Sequence, residues 1–220
     1  MTISVQGIGW FTKEGYGCIR VGQHVKVNES ASVLSKRDIF SHPFKNFGRL
    51  DAVSKSVACA VALAIRDAGI EYSPQHKRHV GIVGTSREGS LRTDVEYFRD
   101  YVQSGRTLSR ANLFIYTLPS SPLGEAAIHF GFLGPLLYAA SGDGSLLPIL
   151  DMASGMIEGG EAEAMLAGTA DEEEAVFLVL GRAGAAPALC GIEQAREALA
   201  ASSAIADMIR HFSPVSSRKA

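Results

Sequence analysis

Apolar positions recur along the chain with the periods of strands and helices in turn. Residues 2–11, TISVQGIGWF, alternate as a strand does and run into a glycine-containing turn. In 47–69 apolar residues such as Val57 and Val61 recur at helical spacing, and Gly69 suits the end of that helix. The polar stretch between these two segments predicts a loop.

The same reasoning predicts elements for the rest of the chain. In the helix over 91–103, the spacing of Val95, Phe98 and Val102 predicts an inward-facing apolar side. Pro148 falls in the first turns of a helix, where proline is tolerated. The remaining predictions are strands at 79–85, 134–141, 162–170 and 175–181, a loop around LPSSP, and helices at 123–130, 145–158 and 192–210.

Strands that alternate with helices predict an α/β fold. We expect one mixed, mostly parallel sheet with helices on both of its faces. Residues 1–212 would form a single domain, and 213–220, SPVSSRKA, would be a flexible tail.

Charge and cysteine content reduce the range of possible partners and sites. The net charge is -2 and the 21 Lys and Arg residues are scattered, which argues against nucleic acid or an anionic membrane as a partner. Three separated cysteines without CxxC spacing argue against a disulfide framework or a zinc site. With no targeting segment and no apolar run of about 20 residues, we expect a cytoplasmic protein whose partners are proteins or small molecules. The acidic turn Asp171–Glu174 predicts a solvated surface or a partner contact.

Asp143 has the most informative position in the sequence. It follows a predicted strand and a glycine and precedes a predicted helix, so it would lie near unpaired N–H groups and the positive end of the helix dipole. In some α/β enzymes a cysteine at such a place has a lowered pKa and acts as a nucleophile. Aspartate is also among the best N-cap residues, worth about 1 kcal/mol. We therefore favour a helix cap over a catalytic role for Asp143.

Other residues with reactive side chains are weaker candidates. Ser141 and Ser145 flank Asp143 but have no nearby histidine in sequence and no GxSxG spacing. His129, near the end of a helix, is predicted to be a packing residue. His76 and His79 lack the partner ligands that a metal site requires. We predict no metal and no cofactor.

The segments NLFIYTLPSSPLGEAAIHFGFLGP and LLYAASGDGSLLPILDMASGMIEGGEAEAMLAGTADE resemble the core of the β-ketoacyl-acyl-carrier-protein synthases. In that family a proline-rich loop, a helix ending in FGxxGP and a strand precede the nucleophilic cysteine. Counted from Gly134 and Pro135, the position of that cysteine falls on Asp143 without a gap, and Gly160 and Gly168 stay in register. The similarity covers most of residues 3–181 and implies the N-terminal half of a thiolase-like fold.

The resemblance also implies what the chain lacks and where it would bind. The two histidines that assist the family's chemistry belong to the second half, and none of the six histidines here matches them. A carboxylate is a poor nucleophile, so we do not expect condensation through Asp143. Family members dimerise largely through the strand before the nucleophile. The implied interface here consists of Leu136, Leu137, Tyr138 and Ala139, with Asn112 and Pro119 of the loop 112–122 nearby.

Three functions follow from this resemblance. The first is a catalytically inactive, chain-length-factor-like partner of an active ketosynthase in fatty-acid or polyketide biosynthesis, such as an aryl-polyene-type pathway, with acyl carrier protein as a further contact. The second is a non-enzymatic homodimer that binds a carrier protein or an acyl chain. The third is a diverged acyltransferase or decarboxylase that uses Asp143.

Overall fold

A computed structural model describes residues 2–20, 25–26, 36–73, 75–107 and 110–212. The predicted tail at 213–220 lies outside the described residues. The described strands are β1 (Ile3–Thr12), β2 (Gly15–Cys18), β3 (Val25–Lys26), β4 (Val80–Thr85), β5 (Leu136–Tyr138), β6 (Ala164–Ala170), β7 (Ala175–Arg182) and β8 (Cys190–Gly191). The helices are α1 (Lys36–Ile39), α2 (Ala52–Asp67), α3 (Leu91–Gln103), α4 (Ala111–Ile115), α5 (Ser121–Phe130), α6 (Leu147–Glu158), α7 (Ile192–Ala200) and α8 (Ile205–Phe212).

All described strands form one sheet in the order β3-β2-β1-β7-β6-β4-β5, with β8 paired to β1. The expected mixed sheet is confirmed, although parallel pairs do not predominate. Strand β4 runs parallel to β5 and β6, whereas β7 and β1 pair antiparallel with their neighbours. Strand β5 is therefore an edge strand.

The core lies on both faces of the sheet, as β7 illustrates. Its alternate residues Phe177 and Val179 belong to the cluster that α2 covers, while Leu178 and Leu180 belong to the cluster under α6 and α7. Since successive side chains of a strand point to opposite faces, burial on both faces explains the uninterrupted apolar run AVFLVL. The expected helices on both faces are confirmed.

The backbone of helix α2 approaches β1 closely because β1 has glycine where the two backbones meet. A Cβ atom on Gly9 would overlap the backbone around Ala64. Asp51 caps the helix by accepting a 2.8 Å hydrogen bond from the Ser54 N–H. The local sequence pattern thus predicted this helix, and glycine in β1 leaves room for its backbone against the sheet.

Three predictions about helices and loops require correction. The predicted single helix 192–210 is two helices, α7 and α8, because a turn around Ser202 and Ser203 lets the apolar faces of both reach the same core cluster. The polar stretch after β1 contains the strand β2. In α3, the predicted inward residues Val95, Phe98 and Val102 are exposed, Phe98 to 64%. No described helix is long and apolar enough to cross a membrane.

Candidate functional site

The turn between β5 and α6, residues 139–146, holds Asp143 and is called here the Asp143 turn. Gly142 and Gly144 on either side of Asp143 have φ of +67° and +74°, a region that favours glycine. The Asp143 N–H donates to the Ser141 carbonyl at 2.7 Å, and Oδ1 of Asp143 accepts from the Ser145 N–H at 2.8 Å. The turn therefore fixes Asp143 by local hydrogen bonds and leaves its side chain exposed.

The prediction that Asp143 caps the following helix is wrong. Helix α6 begins at Leu147, its N-cap residue is Leu146, and no side-chain cap hydrogen bond is present there. The Asp143 carboxylate bonds within its own turn, which aspartate favours because its short side chain reaches a backbone N–H two residues on. Pro148 lies in the first turn of α6, as predicted.

Hydrogen bonds between hydroxyl groups connect the strand β5 and the Asp143 turn to the end of β4. The Thr85 and Ser141 hydroxyls are 3.1 Å apart, and those of Ser86 and Tyr138 are 2.9 Å apart. Ser86 Oγ also accepts from the Gly89 N–H at 2.9 Å. These bonds join edge strand β5 to the loop that leads into α3.

A cavity of about 280 Å³, the Asp143 cavity, lies beside the turn. Its polar walls carry three carboxylates, from Asp143, Asp171 and Glu174, and one guanidinium, from Arg87. The described residues that line it include no cysteine and no histidine, so they offer neither a thiolate nor an imidazole base. Ser145, Thr169, Ser202 and Ser203 add hydroxyls. A net negative lining disfavours a carboxylate ligand.

Arg87 and the α7–α8 junction complete this site, and sequence reasoning missed both. A Cβ atom on Gly144 would lie 2.9 Å from Cγ of Arg87, so the glycine permits the arginine side chain to pack over the turn. Arg87 stands in the VGTSREG segment, which matched no known phosphate-loop spacing. No sequence pattern around Ser202 and Ser203 indicated that this segment lies beside the Asp143 turn.

The acidic turn Asp171–Glu174 is held by several elements. Glu172 pairs with Arg92 of α3, and Glu173 pairs with Lys13 of the β1–β2 turn. The Ser56 hydroxyl of α2 donates to the Glu172 carbonyl at 3.0 Å. Two of the four carboxylates are thus paired within the chain.

The residues of the implied interface lie along the β5 edge. Leu136 and Leu137 are 40% and 37% exposed, and Tyr138 and Ala139 are half-buried. Pro119 and Tyr138 both lie against Gly89, while Asn112 is exposed on α4. Further exposed apolar side chains belong to α3, α4, α5 and the loops beside them: Leu91, Val95, Phe98, Val102, Phe114, Ile115, Leu118, Ile128 and Leu133. We call this whole set, with Leu136 and Leu137, the apolar edge.

His129 packs in an aromatic cluster, as predicted. It stacks on Phe44 with ring centroids 3.8 Å apart and meets Phe40, Tyr72 and Phe130 edge to face. Burial lowers the pKa of His129 to about 4, with a smaller contribution from nearby His42. His129 is neutral at physiological pH and takes no part in the Asp143 cavity. No group of three or more metal-ligating side chains occurs among the described residues.

The fold and the strand–turn–helix arrangement of this site agree with one sequence family. The model of the β-ketoacyl synthase N-terminal domain matches residues 20–200. The chain belongs to the β-ketoacyl synthase family. The N-terminal half of the thiolase-like fold expected from the sequence is thereby confirmed. No curated protein matches the chain in sequence.

Several solved structures share this synthase fold. The ishigamide ketosynthase/chain length factor has a TM-score of 0.67 at 17% identity, over 87% of this chain and 65% of that one. A β-ketoacyl synthase from Burkholderia phymatum has a TM-score of 0.56 at 16% identity, over 82% of this chain and 59% of that one. A ketosynthase in complex with its chain length factor from Xenorhabdus doucetiae has a TM-score of 0.55 at 16% identity, over 84% and 81%. The chain thus spans less than two thirds of the first two structures.

Proposed function

We propose that this chain is a catalytically inactive, chain-length-factor-like subunit that pairs with an active ketosynthase. The observation that carries the proposal is the apolar edge. Monomeric proteins rarely leave so many large apolar side chains exposed beside an open edge strand. A partner that covers this edge accounts for both features.

Helix α3 supports a partner on this side of the sheet. All thirteen of its residues are described, and each is exposed or half-buried. The helix is fastened to the acidic turn by the Arg92–Glu172 pair and to α4 by contacts between Tyr97 and Phe114 and between Asp100 and Arg110. Its apolar side has the spacing of a packed helix, so we propose that the partner supplies the packing.

The Asp143 cavity supports catalytic inactivity. The described lining lacks the thiol that accepts an acyl group and offers three carboxylates that would repel a malonyl carboxylate. An acyl–aspartate anhydride is also far higher in energy than a thioester. The alternative of an acyltransferase or decarboxylase that uses Asp143 therefore has little chemical support.

Two of the similar structures are described as ketosynthases with chain length factors, and a third as a type II polyketide ketosynthase with its acyl carrier protein. These descriptions favour a ketosynthase as the partner and polyketide biosynthesis over fatty-acid synthesis. We propose an aryl-polyene-type pathway on the family resemblance alone. We place the complex in the cytoplasm with the carrier protein as a transient third component.

The test is co-expression with the ketosynthases of the source genome, followed by purification on a tag carried by this chain. We expect a stoichiometric complex with one of them. Leu137→Asp should abolish the complex because it places a charge in the middle of the edge strand β5, within the apolar edge. Ala185→Asp is the matched control, since Ala185 is exposed in the loop after β7, a strand that β6 and β4 separate from β5 in the sheet.

The remaining outcomes decide between the hypotheses. A stable homodimer that binds no ketosynthase and is disrupted by Leu137→Asp would replace this proposal with the homodimeric carrier-protein or acyl-chain binding module. Decarboxylation of malonyl-carrier protein by the isolated chain, abolished by Asp143→Ala, would establish the enzyme hypothesis instead.

A further inference from the structure

Helix α8 separates two spaces at the carboxyl edge of the sheet. The Asp143 cavity lies on one side, and a groove of about 1040 Å³, the outer groove, lies on the other. Ala204 and Ile205, at the start of α8, line both spaces. Arg87, Asp171 and Glu174 line both as well, so the two spaces adjoin.

Helix α8 is attached to the core through one apolar side. Ile205 and Met208 are its buried residues, with Ile209 and Phe212 partly buried against the same cluster. Among the described residues, Arg210 pairs with Asp207 within the helix, and the Ser203 hydroxyl donates to Asp207 at 2.9 Å at its first turn. A helix this short is not stable in isolation, so it depends on these four apolar contacts with the core.

The wall that α8 covers is apolar. Leu146, the residue before α6, lines the Asp143 cavity together with Ile205 and Met208 and is only 7% exposed. Asp143 itself is exposed at the rim. Release of α8 would therefore expose Leu146 and the leucine-rich start of α6 to the outer groove.

We propose that α8 is a lid whose opening joins the Asp143 cavity and the outer groove into one cleft. Local unfolding of weakly anchored segments, with the core intact, is a general property of proteins. The turn at Ser202 and Ser203, which breaks the predicted terminal helix, is the hinge. The proposed opening is a property of this chain, so it is tested without a ketosynthase.

The experiment measures thiol accessibility in the chain alone. Leu146→Cys is introduced into a Cys190→Ser background, which leaves the buried Cys18 and Cys59 as the native thiols of the chain. Labelling with a maleimide is followed by mass spectrometry for each cysteine separately. Met208→Asp should raise the labelling rate at position 146 by about tenfold or more, because a buried charge favours the open lid. Ala206→Asp, on the exposed side of the same helix, should change it by less than about twofold.

Cys59 distinguishes lid opening from unfolding. It is buried in α2 on the opposite side of the sheet, where burial raises its pKa to about 12. Lid opening requires that Cys59 stay unlabelled while position 146 becomes reactive. If Met208→Asp exposes both cysteines together, the milder Ile205→Ala is used, and concerted labelling there too would overturn the lid. Equal labelling at position 146 in all variants would also overturn it. Because no partner is present, failure of ketosynthase binding leaves this result unaffected.

Discussion

The Tyr138 hydroxyl lies 2.9 Å from the Ser86 hydroxyl, so the last residue of edge strand β5 is bonded to the loop that begins α3. Ser86 also accepts from the Gly89 N–H, next to the start of that helix. The two parts of the apolar edge, strand and helix, are therefore connected through one serine.

Tyr138→Phe should lower the free energy of unfolding by about 1 kcal/mol, since it removes one hydrogen bond and leaves the ring in place. The matched measurement is a double-mutant cycle with Ser86→Ala in chemical denaturation. We expect a coupling energy of about 0.5–1 kcal/mol. Strictly additive losses would show that the two hydroxyls do not interact in solution.

Asp143→Asn should leave both stability and the product of the ketosynthase complex unchanged. Asparagine retains the Oδ1 acceptor for the Ser145 N–H, whereas Asp143→Ala loses it and should cost about 0.5–1 kcal/mol of stability. The product profile and turnover of the purified complex should be the same for both variants within about twofold. Loss of turnover with asparagine would assign a chemical role to the carboxylate.

Gly9→Ala should destabilise the chain by about 2–4 kcal/mol, because its Cβ atom would overlap the backbone of α2. Gly155→Ala is the matched control. Gly155 is inside α6, exposed and without neighbours near its Cβ position, so alanine there should stabilise by about 0.5–1 kcal/mol. Thermal unfolding of the two variants should shift in opposite directions.

Stability should fall as the pH drops from about 6.5 to about 4, because the unfolded chain then binds a proton that neutral His129 does not. The stabilisation that comes from keeping His129 neutral is fully present above the pKa of this histidine in the unfolded chain. It is lost once the pH passes below its pKa in the folded chain. The slope from this residue is at most about 1.4 kcal/mol per pH unit. His129→Leu should flatten the dependence measured by urea unfolding between these values. An unchanged slope would show that the pH dependence of stability does not come from His129.

The sequence correctly predicted the elements whose signals all lie within one short stretch of the chain. Helix α2 has its cap, Asp51, its apolar face and Gly69 all in one local stretch, and β7 is a continuous apolar run. The family resemblance placed Asp143 in the turn between a strand and a helix, where the structure has it. These features depend on local physics or on residues that remain in register.

The errors arose where the pattern depends on distant partners. Apolar residues recur along α3 with the spacing of a helix that packs on a core, yet nothing in the described chain covers its apolar side. Periodicity alone therefore could not show that this side is exposed. At 192–210 both halves have helical propensity, and the break at Ser202 and Ser203 follows from the shared core cluster of Leu199 and Met208. The Asp143 carboxylate prefers its own turn because α6 starts later than the sequence indicated.

The three-residue length of β5 has a consequence for how the chain is produced in the cell. An exposed edge with adjacent leucines invites aggregation, but a strand this short offers few backbone groups for another chain to pair with. Chaperones and proteases act on surfaces of this kind when a subunit is made in excess of its partner. If the proposed ketosynthase covers this edge, coordinated synthesis with that partner would set the yield of this chain more directly than its own folding stability.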